Sequence, residues 1–372
     1  MADTTIRELR ASRWNVELTE SFGIATGAQA RAENVLVRVT LSDGTVGLGE
    51  AAPFPAVNGE TQEDAVLAVS RAAEALRGLD AERFRVVADA AREAATESPS
   101  ARAAIETAVL DAFTKRANLS LWKFFGGAEE TLETDITIVT GGPAHARAAA
   151  ERAIAAGFST LKIKVGGVPL EEDVARMAAI VEVAPHARLV LDANAALSVD
   201  EAVELVERIG KERVALFEQP VARDDLQGMR AVRRRTRVRV AADESIRSPA
   251  DVSLVAFERA ADVVNVKVTK CGVAEACDIV AACRSFNLGL MIGGMVETKL
   301  AMSLSACLAA GRGGFEFVDL DTPLFMKEGG MLQEPTGGSG PVAATLAGGY
   351  EQSGSTLRVS SILCGHGVTV TC

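Results

Sequence analysis

Three carboxylates and three lysines carry the strongest chemical signal in this sequence. Asp192 ends the apolar run "LVLD", Glu218 ends "ALFE" and Asp243 ends "VAAD", while Lys162 and Lys164 sit two apart in "STLKIKVGG" and Lys267 ends "VVNVK". Alternate side chains of a strand share a face, so Lys162 and Lys164 point one way while Leu161, Ile163 and Val165 point the other. Alone, that pattern describes an ordinary solvated strand. Beside acids at successive strand ends it reads differently. Three carboxylates converging in a partly desolvated site repel one another strongly, and a hard divalent cation relieves the repulsion. Oxygen-only ligands favour Mg2+ or Mn2+ over zinc. Lysines bracketing such a site could remove and return a proton beside a substrate carboxylate held on the metal, which would stabilise the enediolate.

A free lysine has a pKa of about 10.4, so a lysine base needs neighbouring positive charge or burial to work near neutrality. Lys162 beside Lys164, with a cation close by, supplies the former. Glu244, directly after Asp243, is expected to orient Lys267 on the opposite side. The three histidines, His145, His186 and His366, lie in no motif, and proton transfer therefore falls to lysines and carboxylates.

The elements that must position these groups follow a regular cadence. Positions 164, 192, 218, 243 and 267 are separated by 28, 26, 25 and 24 residues, and amphipathic helical stretches such as "VDEAVELVERIG" fill the gaps. Eight apolar runs joined by such helices predict an α/β fold: a modified TIM barrel, (β/α)7β, over residues 131–325. Residues 1–130 read as an α+β capping domain. Its strands include "NVLVRVTLSDGTVGLGEA" with an "SDG" turn, its helices are alanine-rich, and segment 326–372 partly returns to it. "SFGIATGAQARAE" and "GEAAPFPAVNGETQ" read as loops over the barrel mouth.

Composition narrows the remaining classes. The chain has 372 residues, 48% of them hydrophobic, and a net charge of −11. That balance argues against nucleic acid and anionic membrane as partners, and the basic run "RRRTRVR" at 233–239 reads as a solvated helix end. No apolar run reaches the roughly 20 residues of a membrane span, and the first residues lack a signal-peptide core, so a cytoplasmic protein is expected. The six cysteines show no CxxC pair and are expected to be reduced.

Five motifs in order, "KIK" at 162–164, "LDAN" at 191–194, "FEQP" at 217–220, "ADES" at 242–245 and "NVKVTKCGV" at 265–273, resemble the enolase superfamily in its muconate-lactonizing subgroup. The resemblance spans nearly the whole chain. It implies Asp192, Glu218 and Asp243 as ligands of Mg2+ and Lys164 and Lys267 as the two acid/bases. Lys162 would polarise the substrate carboxylate and lower the pKa of Lys164, with Asn194 and Glu244 in support. The subgroup includes cycloisomerases, o-succinylbenzoate synthases, N-acylamino acid racemases and dipeptide epimerases, often homo-oligomeric. "FVDLDTPLF" resembles the DxD signature of the dipeptide epimerases, with Asp319 and Asp321 holding the α-ammonium of a dipeptide substrate. "GGMVETKL" at 293–300 resembles the seventh strand end, with Glu297 and Thr137 lining the pocket. Members acting on Ala-Glu place a basic residue in the first capping loop. "SFGIATGAQA" has none, and Phe22, Ile24, Phe54 and Val57 point to a hydrophobic or small C-terminal residue.

The expectation is therefore a Mg2+-dependent epimerase of L,L-dipeptides. An N-acylamino acid racemase or o-succinylbenzoate synthase on the same scaffold is the nearest alternative. A Schiff-base aldolase and a non-catalytic binding barrel are the more distant ones.

Overall fold

A computed structural model of the chain describes residues 4–24, 27–335 and 340–371. Strands Ile6–Ile24, Gly27–Leu41 and Val46–Ala51 form an antiparallel meander, extended on its other edge by Met326–Pro335 and Val342–Ala343. Val35, Val37, Val39 and Leu41 alternate onto one face and are fully buried against the helices Gln62–Leu76 and Pro99–Arg116. The long helix lies unusually close to the sheet because Gly47 and Gly49 offer no side chain. A Cβ at either position would meet the backbone carbonyl of Ala108 or Ala104 at 2.0 Å.

One expectation fails here. Residues 21–24 and 27–33 are not a loop but the far end of a hairpin, with Phe22 opposite Gln29 and Ile24 opposite Gly27 after a shift in register beyond Glu17, while Ala25 and Thr26 lie outside the described residues. Phe22 is anchored edge-on against Phe325, ring centroids 5.3 Å apart, so burial of an aromatic fixes an arm whose small residues give little strand signal.

The second body is the (β/α)7β barrel. Its eight strands, in order, are Ile136–Ile138, Thr160–Lys164, Arg188–Asp192, Val214–Glu218, Val240–Ala242, Val263–Val266, Gly289–Ile292 and Phe315–Val318. Each pairs in parallel with the next, and helices fill all seven connections. The first and eighth strands meet where the Asp135 N–H donates to the Val318 carbonyl at 2.9 Å. Inside, Val190, Leu216, Ala241, Val263, Met291 and Phe317 form a closed apolar plug. Two residues further along the same strands, on the same inward face, come Asp192, Glu218, Asp243, Asn265, Gly293 and Asp319. The polar layer therefore rests on the apolar one. Leu161, Ile163 and Val165 face outward into the helix-packed core.

The tail does more than rejoin the capping sheet. Thr345–Gly348 pairs with Val368–Thr371, and Thr356–Arg358 pairs with Thr131–Glu133 just before the barrel. His366 is buried in a cleft of the capping domain, where its backbone N–H donates to Asp111 at 3.1 Å. Its Nδ1 accepts from the Val368 N–H, which leaves Nε2 to donate to the Leu48 carbonyl at 3.0 Å, and burial keeps the ring neutral by lowering its pKa. The basic run ends helix Leu226–Thr236 as expected, with Arg233, Arg235 and Arg239 paired to Asp262, Asp200 and Glu316. Cys271, Cys283 and Cys307 are buried free thiols. Among the described residues no helix is long and apolar enough to cross a membrane.

Candidate active site

Parallel register aligns the strand ends: Lys164 lies opposite Asp192, and Asp192 opposite Glu218. The Lys164 Nζ is 2.7 Å from Asp192 Oδ2 and the Lys267 Nζ 2.7 Å from Asp243 Oδ2. Lys162, almost completely buried, sits centrally, its Nζ 3.0 Å from Asp192, 2.8 Å from Glu218 and 2.6 Å from Asp319. All six of the principal residues are thus brought together. Above them lies a narrow cavity whose walls include Lys164, Lys267, Asp243 and Asp319. Its roof, from the capping domain, is apolar: Phe22, Ile24, Phe54 and Val57.

The electrostatics follow from burial in competition with charge. Burial would raise the Asp192 carboxyl, but Lys162, Lys164 and Lys267 outweigh it and hold it below the ordinary range. Asp243 is likewise held low by Lys267 and Lys270 against burial. Glu218 is pushed up to about 8, by burial first and then by repulsion from Asp192. Burial pulls Lys162 down, yet Asp192, Asp319 and Glu218 together raise it well above the usual lysine value. Lys267 also rises, because Asp243 overcomes its burial.

Two expected roles need correction. Glu244 does not hold Lys267: Asp243 does, and the Glu244 carboxylate instead accepts from Asn194 Nδ2 at 3.3 Å. Neighbouring residues at a strand end point to different sides, so an inward Asp243 sends Glu244 toward the third strand's loop. Glu244 and Asn194 still line the cavity. Glu297 does not line it. Its Oε1 accepts from the Met295 N–H at 2.9 Å, bracing the loop whose Gly294, Met295 and Val296 form the wall, and burial raises its pKa to about 7. Thr137 does reach the cavity, and its N–H donates to Asp321 Oδ2 at 2.5 Å. Asp319 faces the cavity whereas Asp321 is completely buried behind it.

Several groups emerge only in three dimensions. Asn265 donates to Glu218 Oε1 at 2.6 Å, and Lys270 reaches Asp243 Oδ1 at 2.5 Å from the turn after the sixth strand. Both lie inside a quoted motif, and the period-two spacing of Asn265 and Lys267 was an available signal. Arg176 donates to the Lys164 carbonyl at 2.9 Å and to its buried partner Asp173 at 2.8 Å, fixing the end of the second strand. Glu50 of the capping sheet accepts from the Thr298 hydroxyl and N–H and from Asn34, locking cap to barrel.

Two carboxylate groups could hold a cation. Asp135, Asp319 and Asp321 each offer an oxygen within 4.8 Å of the others. Asp192, Glu218 and Asp243 offer hard oxygen ligands at three adjacent strand ends, and the cost of burying Glu218 beside Asp192 is one a divalent ion would offset. Only the second group is flanked by lysines that open onto the cavity from both sides.

Residues 6–126 match the family described as mandelate racemase / muconate lactonizing enzyme, N-terminal domain, and residues 145–342 match the family described as enolase C-terminal domain-like. The chain is 45% identical over 369 residues to an aromatic dipeptide epimerase of Herpetosiphon aurantiacus, covering 99% of both. Among solved structures it is similar to a mandelate racemase/muconate lactonizing protein from Herpetosiphon aurantiacus, at 45% identity and a TM-score of 0.92 with both chains fully covered. A dipeptide epimerase from Enterococcus faecalis V583, complexed with Mg and L-Leu-L-Tyr, aligns at 30% identity and a TM-score of 0.89, covering 98% of this chain and 99% of the other.

Proposed function

We propose that this chain, which belongs to the mandelate racemase/muconate lactonizing enzyme family and within it to the dipeptide epimerases, inverts the α-carbon of the C-terminal residue of an L,L-dipeptide. The observation that carries this reading is the opening of Lys164 and Lys267 onto one cavity from strands on either side of three carboxylates. Inversion needs a proton taken from one face and returned to the other, so one lysine Nζ accepts the α-proton and the second donates its own. Because both lysines are rigidly seated on strand ends, neither has to move far to do so. Asp192, Glu218 and Asp243 would hold Mg2+, which when bound supplies Lewis-acid stabilisation of negative charge developing on the substrate carboxylate. Lys162 adds a fixed positive charge beneath the same point.

The far wall sets the substrate class. Asp319 faces the cavity beside Thr137 with Asp321 behind it, an acidic wall that suits a free N-terminal ammonium. An N-acyl group has no charge to offer these acids. Under the roof of Phe22, Ile24 and Phe54 we assign a hydrophobic, aromatic side chain at the C-terminal position, since an acidic one would meet no cation there. The names of the H. aurantiacus and E. faecalis relatives support the same preference.

The test is isotope exchange. Mixtures of L,L-dipeptides incubated with the protein and Mg2+ in D2O are expected to gain one deuterium per molecule, most rapidly for aromatic C-terminal residues. Lys164→Ala and Lys267→Ala should each abolish inversion. Exchange into N-acyl amino acids, with none into any free dipeptide, would overturn the reading.

A further inference from the structure

We propose that Asp135 is an electrostatic positioning residue for the substrate's N-terminal ammonium, a third carboxylate behind Asp319 and Asp321 that makes the site select free-amine dipeptides over N-acylated ones. This rests on the dipeptide reading above and assigns a residue that neither the motifs nor the proton-transfer chemistry involve.

Asp135 immediately precedes the first barrel strand, and two bonds across the barrel seam hold it there. Its N–H donates to the Val318 carbonyl at 2.9 Å, and the Leu320 N–H donates to the hydroxyl of its neighbour Thr134 at 3.0 Å. The seam thereby presses the Asp135 side chain against the two acids that follow the eighth strand, and all three offer oxygens within 4.8 Å of one another. Asp135 is only 2% exposed and Asp321 fully buried, yet Oδ1 of each lacks a hydrogen-bond partner. Buried carboxylate oxygens are normally satisfied, and leaving two unmet at one point is costly. A cation arriving at Asp319 from the cavity would meet the summed field of all three.

Among the described residues, positive charge reaches this cluster from Lys162, which acts on all three acids, and from Lys267, which acts on Asp319. Lys162, from the second strand, reaches Asp319 but is shared with Asp192 and Glu218. Glu218, from the fourth strand, adds further negative charge at Asp135. Tyr350, from the C-terminal tail, is buried near Asp321, and its hydroxyl is also without a partner. The Thr137 N–H satisfies only Oδ2 of Asp321. Three acids thus converge behind the wall that a substrate ammonium would meet. Burial and then Asp319 raise Asp321 to about 7, and burial with Asp319 and Asp321 raises Asp135 as well.

The experiment compares a free dipeptide that the wild-type protein epimerises with its N-acetylated form, both with saturating Mg2+. In Asp135→Asn the KM of the free dipeptide is expected to rise about tenfold, with a much smaller change in kcat, while the Ki of the N-acetylated form as competitor stays within twofold. Asp135→Glu should restore the preference, and Asp135→Ser serves if the asparagine variant does not fold. Equal loss for both ligands, or a change confined to kcat, would overturn the inference. A wild-type protein that exchanges no free dipeptide refutes the dipeptide reading itself, before any variant is made.

Discussion

Replacing Arg176 with methionine should damage stability and turnover together, because one side chain serves both. Arg176 is 1% exposed and donates to Asp173 at 2.8 Å, to the Lys164 carbonyl at 2.9 Å and to the Val139 carbonyl at 3.2 Å. Asp173, also 1% exposed, accepts in turn from the Gly166 N–H at 2.7 Å. Methionine fills much of the volume but leaves Asp173 buried without its counter-charge and two carbonyls without a donor. Breaking one partner of a buried pair costs about 3–5 kcal/mol, a figure that already contains the lost hydrogen bonds. For a chain of this size that corresponds to a fall in melting temperature of roughly 4–6 °C. The Lys164 carbonyl lies at the end of the strand that aims its Nζ at the cavity, and a displacement of about 1 Å there can cost up to a hundredfold in rate. Urea unfolding and steady-state kinetics on Arg176→Met, Asp173→Asn and the double variant separate these effects. The double variant should recover about 2 kcal/mol relative to additivity, since neither residue is then left as an unpaired charge. A single variant that unfolds at the wild-type midpoint, or one that loses stability while keeping kcat, refutes the reasoning.

Three further outcomes are expected. Glu106, on helix Pro99–Arg116, is 2% exposed and accepts from the Ala274 N–H at the start of helix Val273–Ser285, and burial raises its carboxyl to about 7. The folded state therefore holds a proton between about pH 4.5 and 7 that the unfolded chain has released, so stability falls as pH rises through that window, by up to about 3 kcal/mol. Glu106→Gln, whose amide oxygen still accepts from the Ala274 N–H, should flatten this slope, and equal urea midpoints for both proteins at pH 5 and at pH 8 would contradict it. Ile24→Arg puts a cation into the apolar roof and should improve kcat/KM for a glutamate-ended dipeptide relative to a phenylalanine-ended one by at least tenfold; an unchanged ratio would show that the side chain lies elsewhere. Stripping metal with EDTA should abolish exchange but leave far-UV circular dichroism intact, because Lys162, Lys164, Lys267 and Lys270 already balance the strand-end acids; unfolding on chelation would be evidence against that balance.

Where a signal is local, the sequence carries it. Inward-facing residues of a strand alternate, so the lysine pair and the acids that close each apolar run can be read without a structure, and the repeating βα length reports the barrel. Contacts that join distant segments leave no such trace. Glu50 meets Thr298 from 248 residues away, and Asp321 meets the Thr137 N–H across 184. Lys270 lay in plain view in "NVKVTKCGV", but its reach back to Asp243 depends on the tight helical turn Val268–Cys271 after the strand. Glu244 misled because adjacency in sequence resembles adjacency in space, while the pleat turns consecutive side chains apart. The hairpin arm at 21–24 and 27–33 was hidden for a different reason. Its glycine and alanine residues carry weak strand propensity, and pairing with its own partner strand, rather than composition, makes it extended.

The route of the tail also has a consequence for how the chain comes to be folded. The strand Met326–Pro335 is hydrogen-bonded in the capping sheet beside the first strand of the protein, and Thr356–Arg358 pairs with the segment that enters the barrel. During synthesis the amino-terminal sheet therefore waits, with one edge unpaired, until the barrel has been translated behind it. Contacts of such long sequence separation are slow to form, and an open strand edge is prone to pairing with other chains in the interval. The roof over the cavity is built on that sheet, so a ribosome-bound chain would hold its eight-stranded scaffold before it holds a closed site. Truncation within the last fifty residues should reproduce that unfinished state, a barrel whose lid has lost its clasp.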